Sequence, residues 1–134
     1  MAIQIHYWSP DVDEQLAYYV DVLSFELVHR QPDEGPVGFC ILKIGDAQIM
    51  IGASPEALID ADRADHRLLQ EVAPRVGKPG PISVYIGVDD IDAYHEQIET
   101  RGARILEPIW DSPWGTRQFS VRDPDGNLTT FFAA

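Results

Sequence analysis

The stretch Trp114-Gly115-Thr116-Arg117-Gln118-Phe119-Ser120-Val121-Arg122-Asp123-Pro124-Asp125-Gly126-Asn127 decides how this chain is read. From Gln118 to Arg122 polar and apolar residues alternate, the period of a strand with one buried face. Asp123 to Asn127 is turn chemistry: Pro presets φ, Gly accepts a left-handed backbone, and Asp and Asn side chains bond their own main chain. Leu128 to Phe132 then returns, so the segment predicts a β-hairpin.

Working outward, Arg104 to Leu106 reads as a strand. It follows a helix from about Ile91 to Arg101, opened by Asp89 and Asp90 and stopped by Gly102. Ile82-Ser83-Val84-Tyr85-Ile86 alternates as the strand ahead of that helix, giving the order β-α-β-β-β. The first half repeats it. Ile3 to Trp8 is a strand, and Asp11 with Glu14 forms a capping box. Leu16, Tyr19, Val20 and Leu23 recur at helical spacing. That helix stops near Ser24, where a left-handed residue costs more than at glycine. Phe25 to His29, Phe39 to Ile44 and Gln48 to Ile51 are strands, the last two joined by the tight Gly45-Asp46 turn. The repeat predicts one α+β domain over 1–134: a first module of about 1–52, a linker of about 53–80 and a second module of about 81–134. Within the linker, Asp60 to Val72 has helical composition, with Leu68, Leu69 and Val72 available to pack. Pro74 and Gly77-Lys78-Pro79-Gly80-Pro81 end it on the surface, and a role as a lid stays open.

The 134 residues are 45% hydrophobic and 24% charged, the balance of an ordinary globule with enough length for its own core. Asp and Glu outnumber Lys and Arg 22 to 10, a net −12, which repels a phosphate backbone and argues against nucleic acid as a partner. The same field attracts a small cation. No apolar run of about 18 residues is present, so no membrane partner is expected. The N-terminus lacks signal-peptide character, and the single Cys40 allows no intrachain disulfide. A cytoplasmic protein with a buried structural thiol is the expectation.

The quoted hairpin, with Val88-Asp89-Asp90-Ile91 opening the second helix, resembles the vicinal oxygen chelate superfamily. That superfamily includes glyoxalase I, extradiol dioxygenases, and fosfomycin- and bleomycin-resistance proteins. The resemblance covers nearly the whole chain except the linker. It implies two tandem βαβββ modules in a curved mixed sheet around a cup-shaped pocket, with helices on the convex side. Ile3, Ile5, Ile82, Val84 and Ile86 would then face the helices, and Gln4, His6, Trp8, Ser83 and Tyr85 the cup. Enzymes of the superfamily place a divalent metal there. Counted onto this chain, the family's ligand positions fall on Gln4, Met50, Ser83 and Thr130. Only Gln4 is a ligand for a hard or borderline ion, and a weak one. His6, on the same face as Gln4, is the other weak metal candidate and a weak candidate base. The expectation is a protein with no metal and no cofactor.

By alternation the pocket is lined by Gln4, His6, Trp8, Phe39, Gln48, Met50, Ser83, Tyr85, Thr130 and Phe132, with Trp110 and Trp114 bracketing Asp111-Ser112-Pro113 as a rim. Aromatic walls with a few hydroxyls and amides suit a planar, mainly apolar ligand, and Glu107 or Asp111 at the mouth would favour a cation. Trp8 is the foremost stacking group, although many of these aromatics equally serve as core or interface. His29, His66 and His95 read as surface residues, and Arg117 as a salt-bridge partner of the many carboxylates. The metal-free members that this chain most resembles are bleomycin-resistance-type proteins, which sequester planar or cationic antibiotics as homodimers. A small-molecule-binding homodimer is thus favoured over an enzyme. The alternatives are a metal-dependent lyase, isomerase or dioxygenase, or a metal-free enzyme with His6 as base.

Overall fold

Two aspartates start the two principal helices in the same way. In the computed structural model, which describes residues 3–53 and 67–134, the Asp11 carboxylate accepts from the Glu14 amide at 3.0 Å. The Asp90 carboxylate accepts from Ala93 at 3.1 Å. Each satisfies an amide that has no partner within its helix. The reciprocal half of the expected capping box is different: the Asp11 amide donates to Ser9 Oγ, not to Glu14.

Helix α1 (Val12–Ala17) continues into a widened π-type turn over Tyr18–Val22, marked by the five-residue bond from Leu23 N to Tyr18 O. The extra residue in the turn brings Tyr18 and Tyr19 both inside, which 3.6-residue spacing does not anticipate. Ser24 then stops the helix at φ +64, as Gly102 stops α3 (Ile91–Thr100) at φ +91.

The strands form two four-stranded sheets of matching order. The first runs β1-β4-β3-β2, from β1 (Ile5–Trp8), β2 (Glu26–Gln31), β3 (Phe39–Ile44) and β4 (Ala47–Gly52). The second runs β5-β8-β7-β6, from β5 (Ser83–Gly87), β6 (Ile105–Asp111), β7 (Arg117–Arg122) and β8 (Leu128–Ala133). In each, the first strand pairs parallel with the last and the others run antiparallel. Between the halves lie α2 (Arg67–Val72) and a 3₁₀ turn at Ala73–Arg75. Leu68, expected to pack, is exposed. The rest of the expected linker helix, and His66, lie outside the described residues.

One core joins the halves. Cys40, Leu42, Ile49 and Ile51 of the first sheet and Phe119, Val121 and Phe131 of the second are buried together with Tyr19, Leu23 and Ile98. Polar ties cross the same junction. Tyr94 Oη donates to Leu23 O at 2.7 Å, and Arg104 N donates to Tyr18 Oη at 2.9 Å. The centre of the junction is Asp123, 1% exposed. Its carboxylate accepts from Gln15 Nε2 and Tyr19 Oη of the first half at 3.0 and 2.9 Å. From its own turn it accepts from Asp125 N, Asn127 N and Asn127 Nδ2. A buried carboxylate requires this many donors, since unpaired it would not remain charged out of water.

Three assignments change. Ile3 and Ile82, expected to pack on the helices, are 94% and 77% exposed. The ladders begin at Ile5↔Ile49 and Ser83↔Leu128, so Ile3 and Ile82 lie ahead of the strand pairing that would hold them over the helix layer. The strand expected at 104–106 extends to Asp111, placing Trp110 inside an edge strand. Pro108 is tolerated there because the ladder is bulged between Glu107 and Trp110. His95, expected on the surface, packs edge-on against Phe119 at 4.8 Å.

Candidate functional site

Register fixes which side chains share a face. In the first sheet, His6 lies opposite Met50 and Trp8 opposite Gly52, and Gly52 and Met50 lie opposite Phe39 and Ile41. These residues stand on the face away from the buried Cys40, Leu42, Ile49 and Ile51. The His6 imidazole sits 4.2 Å from the Trp8 ring and 6.0 Å from Phe39, to which it is nearly parallel at 20°. His29 extends the row at 6.4 Å from Phe39. The result is a strip of aromatic rings across an open sheet face.

The second sheet carries a different wall. Tyr85, 58% exposed, lies 6.4 Å from Phe132, and Phe132 is opposite Gln118, which is opposite Trp110. Trp110 and the 64% exposed Trp114 meet edge to face at 5.6 Å. The polar groups here already have partners. Thr130 is buried with its hydroxyl 2.7 Å from Ser120 Oγ, so that hydroxyl is already engaged. Thr116 Oγ1 donates to Gln118. Glu107 accepts from Trp110 Nε1 at 2.7 Å, and Asp111 is tied to Arg117. The two carboxylates expected at the mouth are therefore engaged. Arg117 also bonds Asp92 through Nε and Nη2. Its guanidinium holds that carboxyl below its ordinary range, the salt-bridge role read from the sequence.

A cleft of about 950 Å³ lies where β1 and β5 approach, lined by Ile5–Trp8 and Ile82–Tyr85. Sequence reasoning missed its outer wall, which is Val72 to Pro81 with Pro74, Arg75, Lys78 and Pro79, and its floor at Asp125 and Asn127. The Gly/Pro run of the linker was the available signal; its destination was not. Of the expected site residues, the cleft gathers His6, Trp8, Ser83 and Tyr85. Phe39 joins through His6 and Phe132 through Tyr85. Gln4 is exposed ahead of β1, and Trp110 and Trp114 form their own pair.

Burial lowers the His6 pKa, so the imidazole is neutral near pH 7. Its buried Nδ1 has no hydrogen-bond partner among the described residues. Among the described residues no carboxylate orients it, which a general base normally requires. The donor set does not fit the divalent ion that the resemblance implies. Met50 is soft, Thr130 is engaged by Ser120, Gln4 is exposed, and Ser83 lies opposite Leu128. Among the described residues no three His, Cys, Asp or Glu side chains converge. Cys40 is buried and its thiol is pushed up to about 11 by desolvation, the opposite of an activated nucleophile. Asp125, on the cleft floor, is raised by burial and by the neighbouring carboxylates Asp123, Glu14 and Asp11.

A model of the Glyoxalase/Bleomycin resistance protein/Dioxygenase superfamily matches residues 3–131. Proteins named "Bleomycin resistance protein" from Geobacillus stearothermophilus and Staphylococcus aureus are 29% identical over 125 residues, covering 91% of this chain and 88% of theirs. Among solved structures, TioX from Micromonospora sp. ML1 is 26% identical with a TM-score of 0.75, covering 99% of this chain and 98% of that one. Lactoylglutathione lyase from Agrobacterium tumefaciens shares the fold at 22% identity and a TM-score of 0.67, covering 100% of this chain and 93% of that one.

Proposed function

The chain belongs to the glyoxalase/bleomycin resistance protein/dioxygenase superfamily, and from that premise we propose that it is a metal-free small-molecule-binding protein, a homodimer that sequesters a planar or cationic antibiotic or metabolite. The observation that carries this reading is the Trp8–His6–Phe39 ring strip beside a cleft of about 950 Å³. A planar ligand gains area and stacking there without needing strong polar contacts. Most polar side chains of the second wall are already satisfied by each other, which leaves rings as the recognition surface. The net −12 favours a cation. The curated relatives' name, bleomycin resistance, agrees with such a ligand.

Among the described residues, β1 pairs only with β4 and β5 only with β8. With β2 and β6 at the opposite ends, each sheet has two edge strands, and such open edges favour a second copy that covers them. Modules 1–52 and 81–134 would then each contribute one wall. A free, buried Cys40 suits the cytoplasm.

The test is titration calorimetry of untagged protein with bleomycin and with the planar cation proflavine, alongside elemental analysis and sedimentation. Saturable binding that returns the ligand chemically unchanged, with a dimeric mass, supports the reading. Turnover of a bound ligand, or close to one metal per chain lost on His6→Ala, overturns it.

A further inference from the structure

We propose that Gly52 is a specificity-determining residue of this site: by lacking a side chain it forms the notch in which the His6 imidazole seats, so that Trp8, His6 and Phe39 stand in one continuous row of rings, His6 at 46° to Trp8 and 20° to Phe39. The inference rests on the ligand-binding reading above and names how its planar preference is built. Gly52 sits between two large rings in one row, opposite Trp8 on β1 and Phe39 on β3. Its φ is not left-handed, so the backbone does not call for glycine. Space does. A Cβ here would lie 2.7 Å from both Cε1 and Nε2 of His6 and 3.7 Å from Cε3 of Trp8, and an alanine would evict the imidazole from its place. In the second sheet the register position of Gly52 is taken by Phe132, opposite Gly87 and Gln118, and the glycine there lies on the first strand without a seated ring. A Cβ on Gly87 would meet Phe132 Cζ at 3.5 Å, an ordinary contact.

Among the described residues Nδ1 of the seated ring has no hydrogen-bond partner, and the close ring neighbours are Trp8 and Phe39. Evicting the seated ring leaves Trp8 and Phe39 separated, with a displaced imidazole standing above the surface where a flat ligand would lie.

The first test needs no ligand. In ¹³C-labelled full-length protein, the His6 Hε1 resonance carries the ring-current shift of Trp8. That shift is lost in Gly52→Ala and in Trp8→Leu, and is kept in Gly87→Ala. The second test is proflavine affinity. Gly52→Ala raises Kd about tenfold, equivalent to one lost stacking contact, and Gly87→Ala leaves it within about twofold. If Gly52→Ala folds poorly, the pair His6→Ala and His6→Ala/Gly52→Ala decides, since removing the imidazole removes both 2.7 Å clashes and leaves the contact with Trp8 Cε3 at an ordinary 3.7 Å. The double variant then folds and binds proflavine as His6→Ala does. A Gly52→Ala protein with wild-type resonance and wild-type Kd overturns the proposal, as does an equal cost of the alanine with and without His6. Wild-type protein that binds no proflavine refutes the binding reading instead, and the resonance then decides the notch by itself.

Discussion

Tyr19→Phe removes a hydrogen bond to a buried charge. The ring is kept, with its contacts to Phe25 at 5.1 Å, Tyr18 at 6.1 Å and Tyr7 at 6.4 Å. Only the hydroxyl that donates to Asp123 at 2.9 Å is removed. The carboxylate keeps its bonds from Gln15, Asp125 and Asn127, so it stays charged but loses a donor that water cannot replace at 1% exposure. A hydrogen bond to a charged group contributes about 1.5–3 kcal/mol, against about 1 for a neutral pair. For 134 residues, an unfolding entropy of about 2.1 cal/mol/K per residue turns 2 kcal/mol into a Tm lower by about 7 °C. Tyr94→Phe is the internal control, because its hydroxyl also crosses the junction but donates to the neutral carbonyl of Leu23. Urea unfolding followed by circular dichroism compares the two at equal m-value. If Tyr19→Phe costs no more than Tyr94→Phe, the buried carboxylate is not the strong acceptor described, and the account of the junction fails.

Ser24→Gly should stabilise by about 1 kcal/mol, because a left-handed non-glycine residue costs about 1–2 kcal/mol; the loss of the exposed bonds from Gln97 and Arg101 offsets part of it, and a lower urea midpoint would refute the strain. Native protein should leave Cys40 unlabelled by a disulfide reagent at pH 8, with one thiol appearing in guanidinium, since burial raises that thiol to about 11; prompt native labelling would place it outside the core. The folded-state pKa of His6 lies below its unfolded 6.5, so as pH falls past 6.5 the unfolded chain takes up the proton first and stability drops toward acid. His6→Gln should show a shallower fall between about pH 7 and 5 in thermal melts, and an unchanged slope would mean the imidazole is fully solvated.

Local chemistry was legible where it is self-contained. Asp11 and Asp90 cap their helices because a short acceptor one residue ahead of a helix needs only nearby amides. The Gly45-Asp46 turn fixed the β3–β4 register, which put Phe39 and Met50 on the face that alternation assigned to His6 and Trp8. Long-range partners left no such trace. Asp123 reads as a turn residue, and nothing local says that its carboxylate is bonded by Gln15 and Tyr19, 108 and 104 residues away. Tyr18 escaped because a π-type turn breaks the helical period used to find the core. The Pro- and Gly-rich run after Arg75 announced an irregular segment without saying that it walls a cleft.

These misses meet at one place. The turn that begins with Asp123 is two-sided. Inward, its first residue is clamped by α1 and the adjoining π-type turn; outward, Asp125 and Asn127 form the cleft floor. Gly126 packs on Pro79 of the outer wall, where an added Cβ would come within 3.2 Å of Pro79 Cγ. Asn127 belongs to both sides, since its Nδ2 bonds Asp123 while the residue lines the cleft. The position of α1 in the first half therefore sets the floor of a cleft whose other strand belongs to the second half. A motif that reads as a surface hairpin turn thus ties the two halves together at the floor of the cleft between β1 and β5, alongside the shared core.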